Sequence, residues 1–194
     1  AKDSTETADG VSTKEAGADG EGKAEPGGLR NAVFAGGCFW GIEHAFSQVP
    51  GVLDVVSGYT GGDVPNPSYA QVSTGRTGHA EAVRVTYDPA RVGYEELAKL
   101  FFELHDPTEI NRQGPDIGTQ YRSALFYGNE AERETALALV RRLENNGYRV
   151  MTQIVPAAPF YEAEDYHQDY IKKHPGRSCH LPIKRFDIPA RGMK

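Results

Sequence analysis

The segment Gly36-Gly37-Cys38-Phe39-Trp40-Gly41 sets a thiol beside the only tryptophan of the chain. A cysteine between a Gly-Gly turn and the start of a helix meets the unpaired N–H groups and the positive end of the helix dipole, and both favour a thiolate. The glycines let a substrate come close to the backbone. The alternative is a thiol buried as a small hydrophobe, the commoner fate of a lone cysteine. Phe39 and Trp40 are adjacent, about 100° apart around a helix, so one of the two rings belongs at the rim near the thiol. The second cysteine, Cys179, stands in Pro175-Gly176-Arg177-Ser178-Cys179-His180, inside an irregular tail. One cysteine at a helix mouth and one in such a tail fit a nucleophile and a resolving thiol. They fit equally a static structural disulfide, two unrelated thiols, or a Cys–His hydrolase drawing its base from His44, His79, His105, His167, His174 or His180. No pair of cysteines or histidines has a familiar zinc-ligand spacing, so no metal site is expected.

Other groups sit where a substrate could be met. Glu81 follows Gly78-His79-Ala80 and precedes Ala82 and Val83, at a loop–strand junction. Most glutamates are solvated surface groups, but a carboxyl desolvated at this junction would have a raised pKa and stay protonated. Tyr69, Asp116 and Tyr121 fall in or beside two long loops, and each taken singly is an ordinary loop residue.

The elements that must position these groups follow from periodicity and breakers. Asn31–Ala35 reads as a strand, Cys38–Gln48 as a helix with Phe39, Ile42 and Phe46 on one face, and Val52–Tyr59 as a strand. Residues 60–79 form a Gly-, Pro- and Ser-laden loop with one helical turn near Ser68–Ser73. In Ala82–Tyr87, Val83, Val85 and Tyr87 alternate with Arg84 and Thr86, as in a strand with one wet face. Tyr94–Leu104 is an amphipathic helix, residues 105–119 a second long loop, and Ser123–Tyr127 a strand. Glu130–Asn145 is a helix stopped at Asn146-Gly147. A strand over Thr152–Val155, a helix over Ala163–Lys173 and an irregular segment 174–194 complete the reading. The order β-α-β-β-α-β over residues 31–127 is that of a ferredoxin-like α/β plait, so the fold class is α+β with helices against a mixed sheet.

Composition bounds the rest. The chain of 194 residues is 39% apolar and 25% charged, enough for one domain with a sizeable core. No apolar run approaches the roughly 20 residues that span a bilayer. The net charge of -6 argues against an electrostatic grip on nucleic acid. Residues 1–28 carry seven acids, three lysines and no aromatic residue. They read as a disordered acidic leader to a single catalytic domain over 29–194. The chain starts at Ala1, and no apolar signal core is present.

These residues resemble the A-class peptide methionine sulfoxide reductases. Gly36-Gly37-Cys38-Phe39-Trp40-Gly41 is similar to the family's signature. Gly58-Tyr59-Thr60-Gly61-Gly62, Pro67-Ser68-Tyr69, Thr74 through Glu81, Asp106-Pro107-Thr108, Gly114 through Ser123 and Ala163 through Tyr170 resemble the family in order. The resemblance covers roughly residues 31–180 and implies an α+β plait. It implies Cys38 as nucleophile, Glu81 as the acid that protonates the sulfoxide oxygen, and Tyr69 and Tyr121 as hydrogen-bond donors to that oxygen. It implies Phe39 and Trp40 around the S-methyl group and Asp116 in the substrate pocket. The implied substrates are methionine-S-sulfoxide, free or in oxidised proteins and peptides. The implied reductant is thioredoxin or another dithiol, with no bound cofactor. A monomer is expected; the cytoplasm is the family default for its location, with export the alternative if Ala1 is a processed terminus. The chemistry suits the residue types. Protonation of the sulfoxide oxygen makes sulfur attackable, thiolate attack releases methionine and leaves a sulfenic acid, and a second thiol closes a disulfide. Many relatives carry two cysteines in the tail; this chain has only Cys179, so a Cys38–Cys179 disulfide is the simplest cycle. The rival readings are a secreted binding module stapled by Cys38–Cys179 and the Cys–His hydrolase.

Overall fold

The computed structural model describes residues 28–177 and 181–190. The leader read over residues 1–28 therefore lies almost wholly outside the described residues, and Cys179 lies outside them too.

In chain order the elements are β1 (Arg30–Gly36), α1 (Phe39–Ser47), β2 (Val52–Thr60), α2 (Tyr69–Ser73), β3 (Ala80–Tyr87) and α3 (Tyr94–Leu104). Then come β4 (Arg112–Gln113), β5 (Asp116–Ile117), a 3-10 turn at Thr119–Tyr121, β6 (Ser123–Tyr127) and α4 (Glu130–Asn145). The last are β7 (Gln153–Pro156), β8 (Phe160–Glu162), a 3-10 turn at Asp165–His167 and α5 (Tyr170–Lys173).

Six strands form one sheet in the order β7-β6-β1-β3-β2-β8. Its centre is the expected plait. β3 runs antiparallel between β1 and β2, and β6 flanks β1 antiparallel. β7 adds to one edge parallel to β6, and β8 to the other edge antiparallel to β2. Period-two alternation divides the residues between two faces. Ala32, Phe34, Val83, Val85 and Leu125 join Phe39, Ile42 and Phe46 of α1, Leu97, Phe101 and Phe102 of α3, and Leu139 and Leu143 of α4 in the main core. Ala35, Ala80, Ala82, Ala124 and Phe126 form a smaller cluster on the other face. Asn129 caps α4 through its side chain, which accepts from Glu132 N at 3.0 Å, and Gly147 follows the helix with φ +89°.

Two parts differ from the expectation. Ala163–Lys173 is not one helix. A 3-10 turn ends at His167, Asp169 takes a left-handed conformation (φ +52°), and only Tyr170–Lys173 is helical. The cause is the side chains of this stretch, which bond to other elements rather than lining an apolar stripe. Glu164 bonds to Tyr69 and Tyr59, and Gln168 to both backbone groups of Ser57. The loop over 105–119 contains a small hairpin, β4–β5, with Gln113 opposite Asp116. The tail is irregular as expected, but its residues Ile183–Ala190 are bonded to α3 and α4 rather than standing free.

Candidate active site

Cys38 is the N-cap residue of α1 and is half-buried. β1 delivers it through a turn that only small residues can make. Gly37 has φ +92°, and a Cβ there would lie 2.8 Å from the side chain of Gln113. A Cβ on Gly36 would lie 3.0 Å from the rings of both His105 and Phe101. The β4–β5 hairpin and the end of α3 thus clamp the turn from outside. Gln113 itself is locked by Asp106, whose N–H it accepts at 2.8 Å and whose carbonyl it donates to at 2.6 Å. The result is a sulfur at the positive end of a helix, where the dipole favours a negative charge by about 0.3–1 kcal/mol.

Glu81 is the second residue of β3 and stands opposite Tyr59 of β2. Alternation puts it on the face of Val83, Val85 and Tyr87, so a carboxyl occupies an apolar row and is 3% exposed. Desolvation pushes its pKa from 4.5 up to about 8, and the charge of Asp116 adds to the rise. A hydrogen bond from Phe39 N, 3.2 Å from Oε2, works in the opposite direction without prevailing. The carboxyl is thus protonated at neutral pH. Its Oε2 accepts from the first N–H of the helix that Cys38 caps.

The two loops bring the remaining sequence-predicted residues together. Tyr69 begins α2 and Tyr121 ends the 3-10 turn; both are half-buried. Desolvation raises both phenol pKa values, and the charges of Glu81 and Cys38 raise them further. Both phenols therefore stay neutral donors. The loops are stitched to each other: Arg122 donates to the carbonyls of Thr119 and Gly78, each at 3.0 Å, and Gln120 donates to the Ser73 carbonyl. Asp116, on β5, acts on Glu81 and Tyr121 through its charge. Of the two aromatics after the thiol, Phe39 turns inward at 1% exposure, and its ring meets Tyr59 and His167. Trp40 lies at the rim, stacked on Tyr170 with ring centroids 3.7 Å apart.

A supporting layer was not assigned from the sequence. Trp40 Nε1 donates to His167 Nδ1 at 3.1 Å, and the His167 ring packs against Phe39, Trp40 and Tyr69. Burial lowers the His167 pKa, so the ring is neutral and its Nδ1 can accept. Glu164 accepts from Tyr69 N at 2.7 Å and from Tyr59 Oη at 2.8 Å. Desolvation favours its neutral form, but these bonds outweigh it and hold the carboxyl below its ordinary pKa. Glu43 of α1, buried and pushed up to about 7 by desolvation, accepts from Asp169 N at 3.1 Å and so seats the segment that carries Tyr170. The available signal was polar density. Glu164, His167 and Gln168 fit no apolar helical stripe, so their burial requires a hydrogen-bond network.

Two of the histidines on which a Cys–His hydrolase could draw, His79 and His105, are engaged elsewhere. His79 Nδ1 accepts from Gly62 N while Nε2 faces the Val64 carbonyl, and His105 bridges the Phe101 carbonyl and Ser123 Oγ. Among the described residues no group of three or more His, Cys, Asp or Glu side chains is placed to hold a metal ion, and no helix is long and apolar enough to cross a membrane.

Comparison with known proteins gives concordant results. The model of a family described as peptide methionine sulfoxide reductase matches residues 30–190. A relative from Methanothermobacter thermautotrophicus, a peptide methionine sulfoxide reductase, is 53% identical over 153 residues, covering 77% of this chain and 90% of its own. The crystal structure of reduced Mxr1 from Saccharomyces cerevisiae superposes with a TM-score of 0.76 at 38% identity, covering 82% of this chain and 95% of that one. Mxr1 in complex with Trx2 aligns at 24% identity with a TM-score of 0.56, over 82% of this chain and 94% of that one, a likeness of fold.

Proposed function

The chain belongs to the peptide methionine sulfoxide reductase family, whose members return oxidised methionine to methionine, and on that premise we propose that it reduces methionine-S-sulfoxide through a sulfenic acid on Cys38. The observation that carries this reading is Glu81, a buried carboxyl with its pKa up at about 8, bonded to the first N–H of the helix that Cys38 caps. The sulfoxide oxygen enters between Glu81 and the phenols of Tyr69 and Tyr121, with the S-methyl group against Phe39 and Trp40. The Cys38 thiolate attacks sulfur while Glu81 gives its proton to the oxygen, and the neutral phenols donate to the same oxygen as charge develops on it. The oxygen passes to Cys38, methionine leaves, and Cys38 is a sulfenic acid. The thiol of Cys179 condenses with it to a disulfide, releasing water, and an external dithiol reduces that disulfide. Thioredoxin is the proposed dithiol; the yeast relative Mxr1 has been captured with Trx2. A steady-state assay with the S and R epimers, using dithiothreitol and then thioredoxin, tests the reading. Turnover of the S epimer alone, dependent on a dithiol, is expected; turnover without any reductant would overturn it.

A further inference from the structure

The hairpin of β4 and β5, which carries Asp116, hangs on one side chain. Between Thr108 and Thr119 every residue is exposed or half-buried except Gln113, which is 6% exposed. Its amide grips both backbone groups of one residue: Oε1 accepts from Asp106 N at 2.8 Å, and Nε2 donates to the Asp106 carbonyl at 2.6 Å. That residue is fixed in turn. Asp106 Oδ1 accepts from Thr108 N and Oγ1 at 2.9 and 2.6 Å, and the neighbouring Pro107 carbonyl accepts from Met151 N at 2.7 Å. Gly114 N donates to Glu109 Oε2 and Gly118 N to the Asn111 carbonyl, bonds that join the loop only to itself. The next side-chain ties to another part of the chain are those of Thr119 and Gln120 to the carbonyls of Gly75 and Ser73. An apolar side chain would fill this place as well as the stem of glutamine does. Burying an amide is costly unless both of its ends are bonded, and here the bonds fix the hairpin in one place.

The same side chain touches the nucleophile's turn. A Cβ on Gly37 would lie 2.8 Å from both Cβ and Cγ of Gln113, so the stem of Gln113 abuts the residue before Cys38. Across the hairpin, Gln113 pairs with Asp116. We propose that Gln113 is a positioning residue for two groups of the site at once: its stem sets the turn that presents Cys38 at the N-terminus of α1, and its amide anchors the hairpin that carries Asp116. This rests on the reading of Cys38 as nucleophile and Glu81 as acid. Asp116 is the charge that adds to burial in raising Glu81. The phenols of Tyr59, Tyr69 and Tyr121 also feel Glu81, the last two feel Cys38 as well, and burial keeps all three neutral. A hairpin that swings away takes the Asp116 charge with it, so Glu81 loses its proton at lower pH.

The experiment uses the full chain carrying Gln113→Met, which keeps bulk against Gly37 but loses the amide, or Gln113→Ala, which loses both. Two quantities are read: the rate at which iodoacetamide alkylates Cys38, followed on the peptide that contains it, and the midpoint of the alkaline fall of kcat with methionine-S-sulfoxide. Gln113→Ala is expected to alkylate about two- to fivefold more slowly, the range over which a helix terminus stabilises a charge at its end, and Gln113→Met at close to the wild-type rate. Both are expected to move the midpoint below the wild-type value of about 8, as is Asp116→Asn. Adding Gln113→Met to Asp116→Asn is expected to move it no further, because the two act through one charge. A loss of stability alone would lower rates without moving the midpoint. A midpoint that stays in place in Gln113→Met or in Asp116→Asn overturns the proposal, as do additive shifts in the double variant or wild-type alkylation of Gln113→Ala. Should Gln113→Ala fail to fold, Gln113→Met decides alone through the midpoint. Glu81→Gln is the control: if its residual activity shows the same alkaline fall, the reading of Glu81 as the acid has failed, whatever the Gln113 variants do.

Discussion

Replacing Glu81 by Gln keeps the shape of the side chain and an oxygen for the Phe39 N–H, but removes the transferable proton. The carboxyl titrates near 8 in the fold against 4.5 for an ordinary glutamate. Between those values the native protein holds a proton that the unfolded chain has lost, so stability falls as pH rises through the window. One pH unit there is worth about 1.4 kcal/mol, so from pH 5 to pH 7 the wild type loses about 3 kcal/mol that Glu81→Gln does not lose. Glu43, pushed up to about 7, titrates in the same range in both proteins and drops out of the difference. The amide is therefore expected to gain on the wild type steadily between pH 5 and pH 7. Urea unfolding of both proteins at pH 5, 6 and 7 measures this. Turnover of the same variant is expected to fall about 10²–10⁴-fold, the usual contribution of a general acid. A stability difference that stays constant across that pH range would refute the reasoning, because Glu81 would then not be held neutral and could not be the proton donor.

Further outcomes follow from the same geometry. Wild-type turnover is expected to decline as pH rises through about 8, when Glu81 loses its proton, and a flat pH–rate profile from 7 to 9 would contradict this. Gly37→Ala places a Cβ against Gln113 at φ +92°; the strained backbone alone costs about 1–2 kcal/mol, read by urea unfolding, and turnover drops as Cys38 shifts. Trp40→Phe strips His167 Nδ1 of its donor, which costs about 1–3 kcal/mol for a buried group left unsatisfied, and KM for the sulfoxide should rise. Glu164→Gln weakens the hold on Tyr59 and Tyr69 together; kcat should fall, while a variant lacking only the Tyr59 hydroxyl should lose less.

The parts of this fold legible in the sequence are those with a strong period. Phe39, Ile42 and Phe46 announce α1, and the alternation ending at Tyr87 announces β3. Extending that alternation back through Val83 puts Glu81 on the buried row, so the raised pKa was within reach of the sequence. The broken run Glu164–Lys173 was not, because its conformation is set by bonds to Tyr69, Tyr59 and Ser57, all about a hundred residues away. The hairpin that brings Asp116 to the site has two-residue strands, too short for any period. Cys38 stood out by its glycine turn, whereas the residues that fix Trp40 and Tyr69 are ordinary polar types whose role exists only once the chain is folded.

The central claim is that Cys38 itself takes the sulfoxide oxygen. The most direct measurement is one mixing of Cys179→Ser with methionine-S-sulfoxide, without reductant, followed by trapping of sulfenic acid and mass analysis of the peptide that contains Cys38. One equivalent of methionine per chain and a trapped sulfenic acid on Cys38 are predicted, with neither product in Cys38→Ser. Methionine formed by Cys38→Ser, or no burst in Cys179→Ser, would contradict the account.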